Sequence, residues 1–169
     1  MIIWINGSFG VGKSETSRIL HEILPNSHIY DPEQVGYFLW DNFPNSMKRQ
    51  GDFQDIVIWR SINYEIIKHL AETYQGDLII PMTMVNAIYY NEIVGRLKRD
   101  GIDVKHFILT APRETIIKRL IQRGDGENSW AEQQIDRCLT AYEKDITGIK
   151  VDTSDRDARM AAEHILELL

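Results

Sequence analysis

The sequence predicts an α/β fold of three layers, in which a five-stranded parallel sheet is covered by helices on both faces. Short apolar runs rich in β-branched residues alternate with longer segments whose apolar residues recur every three or four positions. This alternation is typical of parallel strands that are joined by helices. The 169 residues contain neither an internal repeat nor a linker, so we expect a single domain spanning 1–169.

The strands are predicted from apolar runs that end at turn residues. The first run, 2–5, has large apolar residues throughout and stops at Asn6-Gly7, as expected of a strand buried on both faces. The remaining strands are predicted at 28–30, 78–80, 104–109 and 149–151.

Helices are predicted between these strands from the three- and four-residue spacing of apolar side chains. They are expected at 12–24, from 32 onward, and at 53–74, 89–99, 112–123 and 129–146, with a last helix after 154. Two capping boxes are predicted to start the last two of them, Ser129 with Glu132 and Ser154 with Asp157.

Composition and charge narrow the class of function. A net charge of −6 and a pI of about 5.4 argue against a general nucleic-acid-binding protein, which would carry a basic patch. No apolar run is long enough to span a membrane and no secretory signal is recognisable, so we expect a cytoplasmic protein without an integral membrane segment. The single cysteine, Cys138, excludes an intramolecular disulfide, and we expect it to be buried in a helix.

Basic residues are concentrated between 96 and 123. Eight Lys or Arg stand there against three acids, which makes the segment +5 and the rest of the chain −11. Such a segment either covers solvated helix faces or concentrates a polyphosphate ligand.

A glycine-rich segment follows the first strand directly and opens the first helix. Residues 7–14 read Gly-Ser-Phe-Gly-Val-Gly-Lys-Ser, which is the pattern of a phosphate-binding P-loop. Its glycines let backbone N–H groups converge on a polyphosphate at a helix N-terminus. We therefore predict that ATP or a close relative is bound by Gly7, Ser8, Phe9, Gly10, Val11, Gly12, Lys13 and Ser14.

The last two residues of the loop carry specific chemistry. Lys13 is expected to place its ammonium group on the β and γ phosphates, and Ser14 to offer its hydroxyl to Mg²⁺. ATP and Mg²⁺ are therefore the predicted cofactors, within a P-loop NTPase fold.

The later strands lack the acid that motor and switch NTPases place at a strand end. The predicted third and fourth strands end in Pro-Met-Thr and Thr-Ala. Asp31, after the short second strand, is the best candidate for reaching the magnesium shell and for orienting or deprotonating an acceptor hydroxyl. Asp31-Pro32 is also a helix start signal, and the two roles are compatible. Asp152 is assigned to a turn or a cap.

Arginines flank a second glycine-rich segment. Arg119 and Arg123 lie four residues apart on one helix and precede 124–128, so we predict a short lid around 124–137 that closes over the phosphates. Arg137, on the helix that returns from the lid, is a further candidate. Each of these arginines could instead form a surface ion pair.

The acceptor side is predicted from aromatic residues. Six of them lie between 31 and 60, namely Tyr37, Phe38, Trp40, Phe43, Phe53 and Trp59. They line an acceptor pocket or, as their helical spacing favours, belong to the core. Arg60 either binds the acceptor or forms a surface ion pair, and Trp130 is interpreted as a packing residue.

Longer stretches of the chain resemble the tunicamycin-resistance P-loop proteins. Matching segments include Tyr30-Asp-Pro-Glu, Pro81-Met-Thr, Gly95-Arg-Leu and Asn128-Ser-Trp-Ala. The resemblance covers nearly the whole chain and implies a small cytoplasmic ATP-binding protein of the nucleoside- and shikimate-kinase type, with a mobile lid. By match of position, 7–14 would hold ATP, Asp31 would be the base or magnesium-shell acid, and Arg119 and Arg123 would be lid arginines.

Two functions stay open at this point. The resemblance implies an acceptor related to tunicamycin, a nucleoside antibiotic that carries sugars and a fatty acyl chain. The first function is a Mg²⁺-dependent phosphotransferase acting on a hydroxyl of a small nucleoside-like acceptor. The alternative is an ATP-regulated protein that sequesters the antibiotic without chemistry.

Overall fold

The computed structural model describes residues 1–47 and 51–169. Its strands are β1 (Ile2–Gly7), β2 (Ser27–Ile29), β3 (Asp77–Pro81), β4 (Val104–Thr110) and β5 (Ile149–Asp152). They form one sheet in the order β2-β3-β1-β4-β5, and every neighbouring pair is parallel. The predicted five-stranded parallel sheet is confirmed.

Helices connect the strands. They are α1 (Lys13–Ile23), α2 (Glu33–Asn42), α3 (Val57–Thr73), α4 (Ala87–Tyr90), α5 (Arg96–Arg99), α6 (Arg113–Arg123), α7 (Trp130–Gln133), α8 (Ile135–Lys144) and α9 (Ala158–Glu167). A 3₁₀ turn, Phe53–Asp55, precedes α3, and a π-helical turn, Asn91–Gly95, joins α4 to α5.

Alternate residues of β1 enter different halves of the core. Ile3 and Ile5 pack into a cluster with side chains of α1, α6 and α9, whereas Ile2 and Trp4 pack into another with side chains of α3 and α5. All four side chains are fully buried. Because neighbouring residues of a strand point to opposite faces, an uninterrupted apolar run requires helices on both sides, which gives three layers.

Two predicted helices differ in detail. The helix expected at 53–74 begins with the 3₁₀ turn, which Asp52 holds by accepting a hydrogen bond from the Gln54 N–H at 3.0 Å. The helix expected at 129–146 is divided at Gln134 into α7 and α8. Ser129 does cap the first of them, since its Oγ accepts from the Glu132 N–H.

The predicted cap of the last helix is wrong. Asp157, not Ser154, caps α9 by accepting a hydrogen bond from the Met160 N–H at 2.8 Å. Ser154 instead donates its N–H and hydroxyl to Asp152 in the turn after β5, and Asp152 thus has the predicted turn role. Within the ranges that the structure describes, no helix is both long and apolar enough to cross a membrane.

Candidate functional site

The loop between β1 and α1 has a backbone geometry that favours glycine. Gly7, Gly10 and Gly12 have φ angles of 147°, 77° and 106°. At Gly7 a Cβ atom would lie 2.9 Å from the carbonyl oxygen of Leu109, so a side chain is excluded there. Since α1 begins at Lys13, the unpaired N–H groups of its first turn adjoin this loop and suit an anion.

Asn6 anchors the start of the loop, and the sequence analysis missed it. Its buried Oδ1 accepts hydrogen bonds from the Gly7 N–H (3.0 Å), the Met84 N–H (2.8 Å) and the Tyr142 hydroxyl (2.7 Å). Its Nδ2 donates to the Met84 carbonyl at 2.9 Å. An amide at the end of an otherwise apolar strand was the available signal, because such a group needs several partners when buried.

Lys13 is held by the loop that it ends. Its Nζ donates to the carbonyl oxygens of Gly7 (3.0 Å) and Ser8 (2.8 Å) and lies 5.5 Å from the centre of the Phe9 ring. Burial of the ammonium group lowers its pKa to about 8, although part of the side chain stays exposed. A phosphate beside it would favour the charged form and reverse that shift.

A cavity of about 550 Å³, here called the phosphate cavity, opens beside the loop. Its lining includes Phe9, Gly10, Gly12, Lys13, Ser14, Asp31, Glu33, Thr83, Arg119 and Arg123. The fold therefore brings the P-loop, Asp31 and two arginines of α6 to one place. A smaller cavity of about 210 Å³ shares Gly12, Glu15 and Arg119 with it and continues toward Thr153 and Arg156.

Asp31 and Glu33 share the start of α2. Asp31 caps the helix, with Oδ1 accepting from the Glu33 N–H at 2.9 Å and Oδ2 from the Gln34 side chain at 3.2 Å. Burial, followed by repulsion from Asp31, raises the pKa of Glu33, and the Lys13 ammonium opposes the shift. Glu33 was not predicted as a site residue, although it is the second acid of Asp31-Pro-Glu and follows the same strand as Asp31.

The two α6 arginines have different partners. Arg119 donates to the Thr153 carbonyl (2.6 Å), the Thr153 hydroxyl (3.0 Å) and the Val11 carbonyl (3.3 Å), which ties α6 to the P-loop and to the segment after β5. Arg123 is exposed and bonds Asp125 at 2.7 Å. Arg119 is thus fixed by the fold, whereas the Arg123 ion pair is solvent-exposed and weak enough to exchange for a phosphate.

A second cavity of about 590 Å³, here called the aromatic cavity, adjoins the first. The rings of Tyr37, Trp40 and Phe53 contact one another there, with the Trp40 and Phe53 centres 4.2 Å apart. Phe9 of the P-loop and Trp130 of α7 supply a further pair, 4.9 Å apart. The two cavities share Phe9, Glu33 and Arg123.

The interpretation of the aromatic residues as core is correct for only part of the set. Trp59 is fully buried, and its Nε1 donates to the Pro32 carbonyl. Tyr37 and Phe38, in contrast, are 46% and 61% exposed. Helical spacing failed here because α2 has one buried face, formed by Val35, Gly36 and Leu39, and these two rings lie outside it.

Arg60 lines neither of these two cavities. It is buried, its guanidinium group bonds Glu92 and the Gln54 carbonyl, and it lies 4.1 Å from the centre of the Tyr89 ring. Arg137 pairs with Asp52 at 3.6 Å and lines a separate cavity of about 530 Å³ that also contacts Asp52 and Gln54. Arg60 thus donates to the backbone of Gln54, and Arg137 contacts Asp52 from the side of this separate cavity.

A buried chain of hydrogen bonds links the two cavities. The Thr83 hydroxyl donates to the Gly7 carbonyl at 2.9 Å, and the Gln54 amide donates to the Thr83 carbonyl at 2.8 Å. Gln54 also bonds Asp52, which lines the aromatic cavity. Residues from β1, the 3₁₀ turn and the segment after β3 thereby hold one continuous wall.

Solved structures with a similar fold cover nearly the whole chain. The tunicamycin resistance protein of Deinococcus radiodurans is 30% identical with a TM-score of 0.83, over 99% of this chain and 94% of that one. A sugar kinase from Janibacter sp. HTCC2649 is 19% identical (TM-score 0.69), over 98% of this chain and 92% of that one.

The shikimate kinase of Acinetobacter baumannii, solved with shikimate, is 17% identical (TM-score 0.62) over 99% of this chain and 91% of that one. No protein-family model and no curated protein matches the chain. At these lower identities the two kinases show the fold alone. The identity and coverage of the Deinococcus protein show more: this chain belongs to the family of the tunicamycin resistance protein, on a P-loop kinase fold.

Proposed function

We propose that the protein is a Mg²⁺-dependent kinase that transfers the terminal phosphoryl group of ATP to a hydroxyl of a small, nucleoside-like acceptor. The observation that carries the proposal is the junction of the two cavities at Phe9, Glu33 and Arg123. A donor in the phosphate cavity and an acceptor in the aromatic cavity would meet at a carboxylate and a guanidinium group. Such groups can orient the attacking hydroxyl and stabilise the charge on a transferred phosphoryl group.

The residues of the phosphate cavity fit ATP and Mg²⁺. Lys13 lies among backbone carbonyls at the position where a phosphate would compete for its ammonium group. The Ser14 hydroxyl and the Asp31 carboxylate line the same cavity, and Mg²⁺ is usually held by one or two such protein oxygens together with phosphates and water. When bound, Mg²⁺ neutralises charge on the transferred group.

Glu33 and Asp31 have different roles in this proposal. The oxygen of the acceptor hydroxyl attacks the terminal phosphorus of ATP, and Glu33 accepts the proton of that hydroxyl. The bond between the terminal phosphorus and the leaving ADP oxygen breaks. Burial raises the pKa of Glu33, which makes its carboxylate a stronger base. Asp31, whose oxygens already hold α2, reaches the magnesium shell, and Arg123 stabilises the charge on the transferred group.

The relatives support a small-molecule acceptor. One neighbour is a sugar kinase, another was solved with shikimate, and the 30% identical relative is a tunicamycin resistance protein. We propose that tunicamycin or a related nucleoside is a substrate and that its phosphorylation protects the cell.

The second candidate function is ATP-regulated sequestration of such a compound. It is favoured by the five aromatic rings that line the aromatic cavity, since aromatic surface can bind a ligand without any chemistry. A sequestering protein would need the P-loop only to control closure.

One experiment separates the two functions. The protein is incubated with Mg²⁺, γ-labelled ATP and a panel of nucleosides, sugars and tunicamycin, and products are examined by mass for the gain of one phosphoryl group. A phosphorylated product that disappears in Glu33→Gln, while ATP binding persists, supports the kinase. Tight acceptor binding without any product across the panel would support sequestration.

A further inference from the structure

The aromatic cavity is acidic as well as aromatic. Glu33, Asp52 and Asp125 contribute carboxylates to its lining. Arg123 is the one Lys or Arg among its lining residues in 1–47 and 51–169, and its Nε already bonds Asp125 at 2.7 Å. Counted over the described residues alone, the formal charge of this lining is −2, from three acids and one base.

We infer that the acceptor carries a flat ring and no anionic group, and that Glu33 and Asp52 make the cavity reject acids and phosphate monoesters. The inference rests on the proposed function, because it concerns the acceptor of the same reaction. It goes further by separating uncharged or cationic ring compounds from nucleotides and sugar acids.

The ring requirement follows from the exposed aromatic surface. Tyr37 is 46% exposed and Trp130 52% exposed, yet both line the cavity instead of standing alone on the surface. Each lies next to a further ring, Phe53 at 5.3 Å and Phe9 at 4.9 Å between centres. A flat ligand that enters covers apolar surface on these rings and adds further aromatic contacts.

The charge requirement follows from the way the carboxylates affect one another. Burial and repulsion from Asp31 raise the pKa of Glu33 most, Asp52 raises it further, and Lys13 and Arg123 oppose the shift, so Glu33 and Asp52 repel each other across the cavity that both line. Arg137 lines the cavity of about 530 Å³ and pairs with Asp52 at 3.6 Å from that side. Its positive charge offsets part of the negative charge of Asp52. A ligand carboxylate or phosphate would meet Glu33 and Asp52 at short range, whereas a ligand ammonium would gain from both and from the ring faces.

Asp52 is the residue through which this selection can be tested apart from catalysis. Its Oδ1 accepts from the Gln54 N–H at 3.0 Å, and an asparagine oxygen can accept the same bond. Asp52→Asn therefore removes the charge and keeps this backbone bond of the 3₁₀ turn, while it gives up the Gln54 side-chain bond and the Arg137 ion pair. Asp41→Asn, at an exposed position of α2, is the matched control.

The test uses three compounds with one ring and different charge: tyramine (cation), tyrosol (neutral) and 4-hydroxyphenylacetate (anion). Each is titrated into ¹⁵N-labelled full-length protein without nucleotide, so that phosphate charge does not contribute. The indole N–H signals of Trp40 and Trp130 report on the cavity, and those of the fully buried Trp4 and Trp59 serve as references.

At low salt, where the Debye length is about 30 Å, the charges of the cavity are only weakly screened. We therefore expect tyramine and tyrosol to shift the Trp40 and Trp130 signals at concentrations at least about fivefold lower than those needed with 4-hydroxyphenylacetate. The tyramine-to-acid ratio should shrink in Asp52→Asn, stay unchanged in Asp41→Asn, and fall as salt rises. Equal or tighter binding of the acid would overturn the charge requirement, and three compounds that leave both signals unmoved would overturn the ring requirement. Because no phosphoryl transfer is measured, this result is independent of whether the kinase assay succeeds.

Discussion

At the residue scale, the chemistry depends on which charges the fold brings together. Lys13 lies between loop carbonyls, Asp31 holds the start of α2, and Glu33 lines both cavities. Burial lowers the pKa of Lys13 and raises that of Glu33, because it disfavours the charged form of both groups. A polyphosphate would raise the pKa of Lys13 again and leave Glu33 as a carboxylate of raised basicity.

Lys13→Ala should sharply weaken nucleotide binding, because it removes the point charge that contacts the phosphates. We expect the Kd for Mg²⁺-ATP to rise by at least about tenfold in isothermal titration calorimetry. Lys118→Ala, at an exposed position of α6, is the control and should bind ATP like the unaltered protein. Unchanged binding and turnover in Lys13→Ala would refute the phosphate-site assignment.

Glu33→Gln should lower kcat by about 10²-fold or more while ATP affinity stays within about twofold, since the change removes a base and keeps the shape. In the unaltered enzyme, kcat/KM should fall as pH drops through the raised pKa of Glu33, because only the deprotonated carboxylate accepts a proton. That acid limb should vanish in Glu33→Gln. If the limb is retained and kcat is normal, Glu33 is not the base.

At the element scale, β1 does more than complete the sheet. Asn6 at its end bonds the backbone of Gly7 and Met84 and the hydroxyl of Tyr142, so one side chain joins the P-loop, the segment after β3 and helix α8. Arg119 makes a similar connection from α6 to Val11 and Thr153. The loop is thereby held from two sides.

Asn6→Ala should destabilise the protein by about 3 kcal/mol or more, because it leaves buried donors and an acceptor without partners. The loss is measured as a lower urea midpoint with an unchanged m-value. Asn42→Ala is the control, because the Asn42 side chain donates to the Phe38 carbonyl at an exposed position. Its loss should lower the free energy of unfolding by about 0.5 kcal/mol or less. Similar midpoints for both variants would show that the Asn6 network contributes little.

At the scale of the whole molecule, the parallel sheet gathers the site at one edge. The P-loop follows β1, Asp31 follows β2, Thr83 follows β3 and Thr153 follows β5, so the carboxyl ends of four strands supply groups to the site. The end of helix α6 and the start of α7 lie at the same edge, where they contribute Arg123 and Trp130.

Ligand binding should therefore stabilise the whole fold. At a concentration of about 100 times its Kd, Mg²⁺-ATP should add about 2.7 kcal/mol, which corresponds to a Tm increase of about 5–10 °C for a chain of this size. Differential scanning calorimetry with and without Mg²⁺ measures the shift, and Lys13→Ala should lose most of it. An increase of the same size in Lys13→Ala would indicate that ATP stabilises the protein from another site.

Features that depend on neighbours along the chain were predictable from the sequence. The strand alternation, the P-loop between β1 and α1, and the Ser129 cap arise from short-range spacing and backbone sterics. The Ser154 cap and the continuous helix over 129–146 were wrong, because a competing acid at Asp157 and a break at Gln134 offer local geometries that spacing alone does not rank.

The sequence alone was enough for the sheet and for the phosphate loop, since periodicity and glycine chemistry operate over a few residues. Tertiary structure alone decided the lining of the aromatic cavity. In the folded chain Glu33 and Asp52 line one cavity, and the ring of Phe9 contacts that of Trp130. Tyr37 is exposed, and Arg60 is buried and bonds the Gln54 carbonyl. Most of these relations join residues of different elements, and they depend on how helices pack on the sheet, which no local pattern encodes.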